Sequence, residues 1–156
     1  MRLWRIATET REFEAVDLSG KGAAKYPGRW NWPGQAVVYS APTVALAMLE
    51  TAAHVNAMGL PLNRFLLAIE VPDNLWVQRQ EITADQLPVG WAAIPAGLTS
   101  VEFGAKWLTD KRSLVLCVPS VIVPEELVAL INPAHPLAGR LSAKKVRAVS
   151  YGAVFR

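Results

Sequence analysis

Gly20, Gly22, Pro27, Gly28, Pro33 and Gly34 all fall between positions 17 and 35. Glycine and proline at that density break both helix and strand. A chain of 156 residues must therefore carry a long loop here, and long loops in compact domains are often functional. The loop holds Gly28-Arg29-Trp30-Asn31, and Val37-Val38-Tyr39-Ser40 follows as a short strand. Next comes an apolar segment that reads as a helix and reaches Glu50. An arginine, a tyrosine and a glutamate thus sit on a loop, a strand and a helix in succession. Those residue types can grip a pyrophosphate, stack on a flat ring and stabilise a sugar cation. They suggest a nucleotide site, with NAD as the expected nucleotide.

The remaining periodicities are mixed. Leu3-Trp4-Arg5-Ile6-Ala7 alternates and reads as a first strand. A strand is expected over residues 36–40. Ser40 and Pro42 then read as the start of a helix running from Thr43 to Met58 and stopped by Gly59 and Pro61. Residues 64–71 read as a strongly apolar strand and residues 75–81 as another. Thr99 or Ser100 is placed to cap a helix ending near Lys111. Residues 114–118 read as a buried strand that resumes over 121–123 after Pro119-Ser120. Leu127 to Ile131 reads as a short helix or turn, residues 132–136 as a rigid loop, and residues 146–155 as a strand closing the sheet. Without a regular βαβ rhythm, this is an α+β fold, a single domain over 1–156, with a mixed or mostly antiparallel sheet and a few helices.

Composition narrows the function. Hydrophobic residues make up 52% and charged residues 19%, the balance of an apolar globular domain. A chain of this length buries roughly 68–70% of its unfolded surface without staples. The single cysteine, Cys117, excludes an internal disulfide and fits a reducing compartment. The first residues show no leader pattern, and no run approaches the ~20 apolar residues of a membrane span, so a cytoplasmic protein without membrane contact is expected. A net charge of +3 is too mild to imply nucleic acid. Arg140, Lys144, Lys145 and Arg147 cluster modestly, on a helix or turn that either meets an acidic partner or is simply a solvated face. No Gly-x-Gly-x-x-Gly, Walker loop or metal-ligand spacing is present, so no metal is expected, and a nucleotide would not bind through a Rossmann or P-loop site.

Each candidate residue carries a plain reading beside the functional one. Thr43, Glu50 and His54 fall on one helical stripe, which either faces water or lines a cleft. Arg29 either forks onto phosphate oxygens or stacks on Trp30 or Trp32. Tyr39 is either a core residue with a satisfied hydroxyl or a ring offered to a base. Trp30 and Trp32 are core or rim residues that flank Arg29 and can shape its pocket. Ser120 follows a proline but lies in no nucleophile elbow. His135, between prolines, reads as fixing loop geometry, and Cys117 as an inert core thiol.

Taken together, the chain resembles the RES domain family, named for an arginine, a glutamate and a serine. The resemblance rests on Tyr26-Pro27-Gly28-Arg29-Trp30-Asn31, Val38-Tyr39-Ser40, and Ala47-Met48-Leu49-Glu50 with His54. It continues in Val118-Pro119-Ser120-Val121-Ile122-Val123-Pro124 and Asn132-Pro133-Ala134-His135-Pro136. No piece is specific alone; five in order over nearly the whole chain are. The resemblance implies a fold like that of the ADP-ribosyltransferase toxins. It also implies the toxin half of a type II toxin–antitoxin module, with an Xre-type antitoxin as partner and NAD as substrate.

By that resemblance Arg29 holds the NAD phosphates, Tyr39 packs on the nicotinamide or its ribose, Glu50 stabilises the ribosyl cation, and Ser120 bonds near the nicotinamide end. Trp30 and His54 join Arg29, Tyr39 and Ser120 as expected substrate contacts. Depletion of NAD by hydrolysis or phosphorolysis leads as the expected activity. ADP-ribosyl transfer to a protein target stands second, and a non-catalytic NAD- or protein-binding module third. The apolar composition also suits a homodimer but sets no stoichiometry.

Overall fold

The alternation at the N-terminus is realised as β1 (Arg2–Thr8), with Leu3, Ile6 and Ala7 buried. The computed structural model describes residues 1–55 and 62–155. β1 lies antiparallel to β3 (Arg64–Glu70), in register from Arg2 opposite Glu70 to Thr8 opposite Arg64. β3 is the centre of this three-stranded sheet and pairs on its other side with β7 (Ser142–Val149), with a bulge between Leu66 and Leu67. A second sheet runs β2 (Val38–Ser40), β6 (Leu127–Ile131), β5 (Val115–Pro119), β4 (Gln80–Glu81). Its pairs are antiparallel except β4 with β5. Trp4 and Ala41 exchange two backbone hydrogen bonds, of 2.7 and 2.8 Å, and so join the two sheets.

β5 explains why its sequence shows no alternation. Val115 and Cys117 pack with Leu3, Val38 and Ile69, whereas Leu116 and Val118 pack with Leu46, Leu66 and Leu130. Both faces are covered, so both sets of side chains are apolar. The same holds for β6, where Val128 and Leu130 face one cluster and Ala129 and Ile131 the other.

Among the described residues four α-helices accompany the sheets: α1 (Lys21–Lys25), α2 (Val44–Ala52), α3 (Asp73–Trp76) and α4 (Leu98–Asp110). α2 is capped by Thr43, whose hydroxyl accepts from the Leu46 amide at 3.1 Å. It packs Leu46 and Ala47 into the cluster that holds Ile6 and Leu66 of the first sheet. α4 approaches the loop before β2 so closely that a Cβ on Gly104 would lie 2.0 Å from the Trp30 carbonyl oxygen.

Several local expectations are corrected. Ser40 does not cap α2; its hydroxyl donates to the Ala129 carbonyl at 2.7 Å across the β2–β6 pair. α2 ends at Ala52, and residues 56–61, which include Met58, Gly59 and Pro61, lie outside the described residues. Residues 75–81 are not one strand. Asp73–Trp76 is helical after Pro72, whose carbonyl accepts from Leu75 and Trp76, and only Gln80–Glu81 is strand. α4 begins after Gly97 rather than after Thr99 or Ser100; the Ser100 hydroxyl instead turns back to the Gly97 carbonyl.

Residues 121–123 do not resume β5, because the Ser120 side chain folds them into a turn. Leu127–Ile131 is strand β6, since a five-residue apolar run fits either class and pairing with β2 and β5 decides it. The closing strand starts earlier, at Ser142, so Lys144, Lys145 and Arg147 lie on a strand and not on a helix or turn. It stops at Val149, and residues 152–154 form a turn.

Candidate active site

Arg29 is half-buried in the loop between α1 and β2. Its Nη1 donates to the Trp91 and Ala93 carbonyls, each at 2.8 Å. The 91–93 turn therefore clamps one edge of the guanidinium, with Trp91 stacked on Trp30 at 6.2 Å between ring centroids. Burial lowers the Arg29 pKa, while the charge of Glu50 and then Tyr39 oppose the shift. The cation thus lies within electrostatic reach of the glutamate.

Tyr39, on β2, spans the ground between two arginines. Its backbone carbonyl accepts from Arg5 Nη1 at 3.1 Å. Its hydroxyl accepts from the Trp30 amide at 3.1 Å and donates to Asn31 Oδ1 at 2.6 Å. Its ring packs on Gly28, where a Cβ would lie 2.8 Å from the ring carbon that bears the hydroxyl. Burial raises the Tyr39 pKa well above the ordinary phenol value, so the hydroxyl stays protonated and keeps donating.

Glu50 shares a helical face with Leu46 and Ala47, the buried side of α2. It is half-buried there, at the margin of the core. The Ser120 hydroxyl donates to Glu50 Oε1 at 2.5 Å. That same hydroxyl accepts from the Ile122 and Val123 amides, at 3.1 and 3.0 Å. One hydrogen and two lone pairs are all that a serine hydroxyl has, so Ser120 is saturated by the protein. It fixes one carboxylate oxygen of Glu50 and leaves the other outside this bond.

The fold therefore assembles Arg29, Tyr39, Glu50 and Ser120 from the loop, β2, α2 and the end of β5. It treats Trp30 and His54 differently. Trp30 is 3% exposed, with Trp91 stacked on it and Phe103 edge-on at 6.1 Å, so its indole is core beneath the loop. His54 lies past the end of α2 in an exposed turn and not on the expected stripe with Thr43 and Glu50. The sequence reading missed two contributors. The carbonyls of Trp91 and Ala93 are invisible to a residue-type argument; their one signal is Pro88, Gly90, Pro95 and Gly97, the same loop composition that marks the Arg29 segment. Asn31 was part of a recognised motif without a role of its own.

Away from the site, His135 Nδ1 accepts from the Leu137 amide at 3.1 Å and shapes its loop. Burial pushes the Cys117 thiol up to about 11, which keeps it unreactive. Among the described residues no group of three His, Cys, Asp or Glu side chains is placed to hold a metal ion.

Among the described residues, two sheets bridged at Trp4 and Ala41, with Glu50 anchored by Ser120 within electrostatic reach of the clamped Arg29, make an α+β protein whose candidate site is drawn from distant segments. The chain belongs to the RES domain family, which matches residues 2–152. It is 56% identical over 144 residues to the Prs ADP-ribosylating toxin of Sphingobium sp. (strain YBL2), covering 92% of this chain and 89% of that one. It is 39% identical over 137 residues to Toxin Res of Yersinia enterocolitica serotype O:8, covering 86% of each. It is also 39% identical over 140 residues to Toxin Res of Pseudomonas putida, covering 88% of each. With these relatives, the chain is a toxin of the RES family.

Proposed function

We propose that this toxin consumes NAD by breaking the bond between nicotinamide and ribose and passing the ADP-ribosyl group to an acceptor. The observation that carries the reading is the Ser120-anchored Glu50 within electrostatic reach of the clamped Arg29. Nicotinamide in NAD is a cationic leaving group, so the bonding pair departs with it and no strong general acid is needed. The site must supply position and negative charge for the ribosyl cation that remains. Glu50 supplies the charge, and Ser120 aims it.

Arg29 holds the diphosphate through Nη2 and Nε, because both Nη1 hydrogens serve the 91–93 carbonyls. The Tyr39 ring packs on the nicotinamide end, its hydroxyl being committed to Trp30 and Asn31. Trp30 supports the loop from below, and His54, in an exposed turn past the end of α2, is given no substrate contact. An acceptor nucleophile then bonds to the anomeric carbon and releases a proton.

Similarity at 56% identity to a protein named for ADP-ribosylating Prs supports a protein acceptor of that kind. Water or phosphate as acceptor, which would deplete NAD outright, is the second reading, supported by the half-buried rather than sealed position of Glu50. The activity would harm its own host, so a neutralising Xre-type antitoxin is part of the proposal, with action in the cytoplasm and a toxin homodimer as the assembly to test. The deciding experiment gives the antitoxin-free chain NAD tagged on adenine, with Prs and with inorganic phosphate in separate reactions. Label on Prs supports transfer. Label only in free ADP-ribose, or only in a phosphorylated product, assigns hydrolysis or phosphorolysis. A folded chain that releases no nicotinamide in any mixture overturns the proposal in favour of a non-catalytic binding module.

A further inference from the structure

Asn31 is 1% exposed. A buried amide is costly unless its polar atoms are bonded, and here they all are. Oδ1 accepts from the Gly28 amide at 2.9 Å and from the Tyr39 hydroxyl at 2.6 Å. Nδ2 lies 2.9, 3.0 and 3.2 Å from the Ala23, Gln35 and Trp32 carbonyls, so its two hydrogens are shared among three acceptors. One side chain therefore ties α1, both limbs of the loop and β2 together.

The position of Arg29 within this web is specific. The amide before it, on Gly28, is bound to Asn31. The amide after it, on Trp30, is bound to the Tyr39 hydroxyl, which Asn31 in turn holds. Both backbone neighbours of Arg29 are thus fixed by a single amide side chain, directly on one side and through tyrosine on the other. An apolar residue of equal volume would fill the space and remove all five of these bonds, although the Tyr39 hydroxyl would keep the Trp30 amide and the Trp32 carbonyl the Gln35 amide.

We infer that Asn31 is a positioning residue for Arg29: it sets the direction in which the guanidinium leaves the loop, and it acts on substrate only through that side chain. The kinetic part of this inference rests on the NAD-consuming reading above; the structural part does not.

The test is a double-mutant cycle on KM for NAD, using Asn31→Ala and Arg29→Lys singly and together. Misplacing a binding group by a small distance costs roughly tenfold to a hundredfold. The expected result is a rise of that size in KM for Asn31→Ala alone, with little change in kcat, and almost no further rise when Arg29 is already lysine. Additive losses, or an unchanged KM in folded Asn31→Ala, overturn the inference, because a merely structural asparagine would lower the unfolding temperature without coupling to Arg29. Should Asn31→Ala fail to fold, Tyr39→Phe cuts the same web at its far end and keeps the ring. Hydrogen exchange at the Trp30 amide then accelerates at least tenfold while Gly28 stays protected; unchanged Trp30 exchange overturns the inference. A wild-type chain that leaves NAD intact sinks the functional reading alone, and the exchange measurement still decides this one.

Discussion

Ser120 Oγ and Glu50 Oε1 are 2.5 Å apart although 70 residues separate them in the chain. A loop serine and a helix glutamate thus become one unit, in which the serine hydroxyl accepts from two turn amides and donates its hydrogen bond to the carboxylate. Glu50→Gln keeps the shape and the hydrogen bond and removes the charge. Nicotinamide release is expected to fall roughly 10²–10³-fold, as for loss of one group that stabilises a transition-state charge. The thermal unfolding midpoint should stay near that of wild type. A well-folded Glu50→Gln variant with full turnover would sink the assignment.

Ser120→Ala tests the other half of the pair. It removes a hydrogen bond to a charged group, worth about 1.5–3 kcal/mol, and strands the Ile122 and Val123 amides. Turnover should drop by less than in Glu50→Gln and through kcat rather than KM, because Glu50 is misaimed while Arg29 is untouched. Steady-state kinetics on the two variants side by side checks the order. A KM effect larger than the kcat effect would instead assign Ser120 a direct grip on substrate.

Gly104 and Trp30 provide a packing test. A methyl group on Gly104 would meet the Trp30 carbonyl oxygen at 2.0 Å and its carbon at 2.7 Å, both of them backbone. Neither can rotate aside, so α4 and the Arg29 loop must separate. Gly104→Ala is expected to cost ~1–3 kcal/mol, as overpacking does, and to raise KM because the loop is disturbed. Gly22→Ala is the control: nothing lies within 4 Å of its Cβ, and alanine is the better helix former there. Calorimetric unfolding of both variants settles the contrast, and equal midpoints would refute it.

Tyr39 sets an alkaline limb of stability. Burial raises its folded pKa above the ordinary value of 10.0, with the Trp30 amide and two arginines opposing the shift in part. An unfolded tyrosine loses its proton first, so the unfolded chain holds fewer protons above pH 10 and folding stability falls as pH rises. Below pH 10 the contribution is complete. Tyr39→Phe should therefore be less stable at neutral pH but show a shallower decline above pH 10. Urea unfolding across that range measures the slope, and parallel curves for the two proteins would exclude Tyr39 as its source.

Much of this was readable in the chain. The Gly- and Pro-rich interval 17–35 is loop apart from the short helix Lys21–Lys25, which the sequence did not announce. The residues around Arg29, Tyr39, Glu50 and Ser120 pointed to one kind of chemistry, and the alternation over 3–7 and the apolar run of 64–71 marked the strands found at Arg2–Thr8 and Arg64–Glu70. The errors fell where local signals are degenerate. Leu127–Ile131 is apolar throughout, and only its two neighbouring strands make it β. Thr43 and Ser40 are both good capping residues, and the choice fell to the one whose hydroxyl was not already claimed by Ala129.

What the sequence determined by itself was the inventory: an α+β domain, a constrained loop, and a cation, a ring and a carboxylate of the right kinds. Those properties follow from backbone sterics and side-chain chemistry, which are local. The tertiary structure alone decided the partnerships. It gave Glu50 its serine, gave Arg29 the carbonyls of a turn more than sixty residues away, sank Trp30 beneath the loop and left His54 outside in an exposed turn. The physical reason is that a hydrogen bond depends on where two groups lie in space. That position is fixed by two sheets closing on shared apolar clusters, a property of the whole chain and of no single segment.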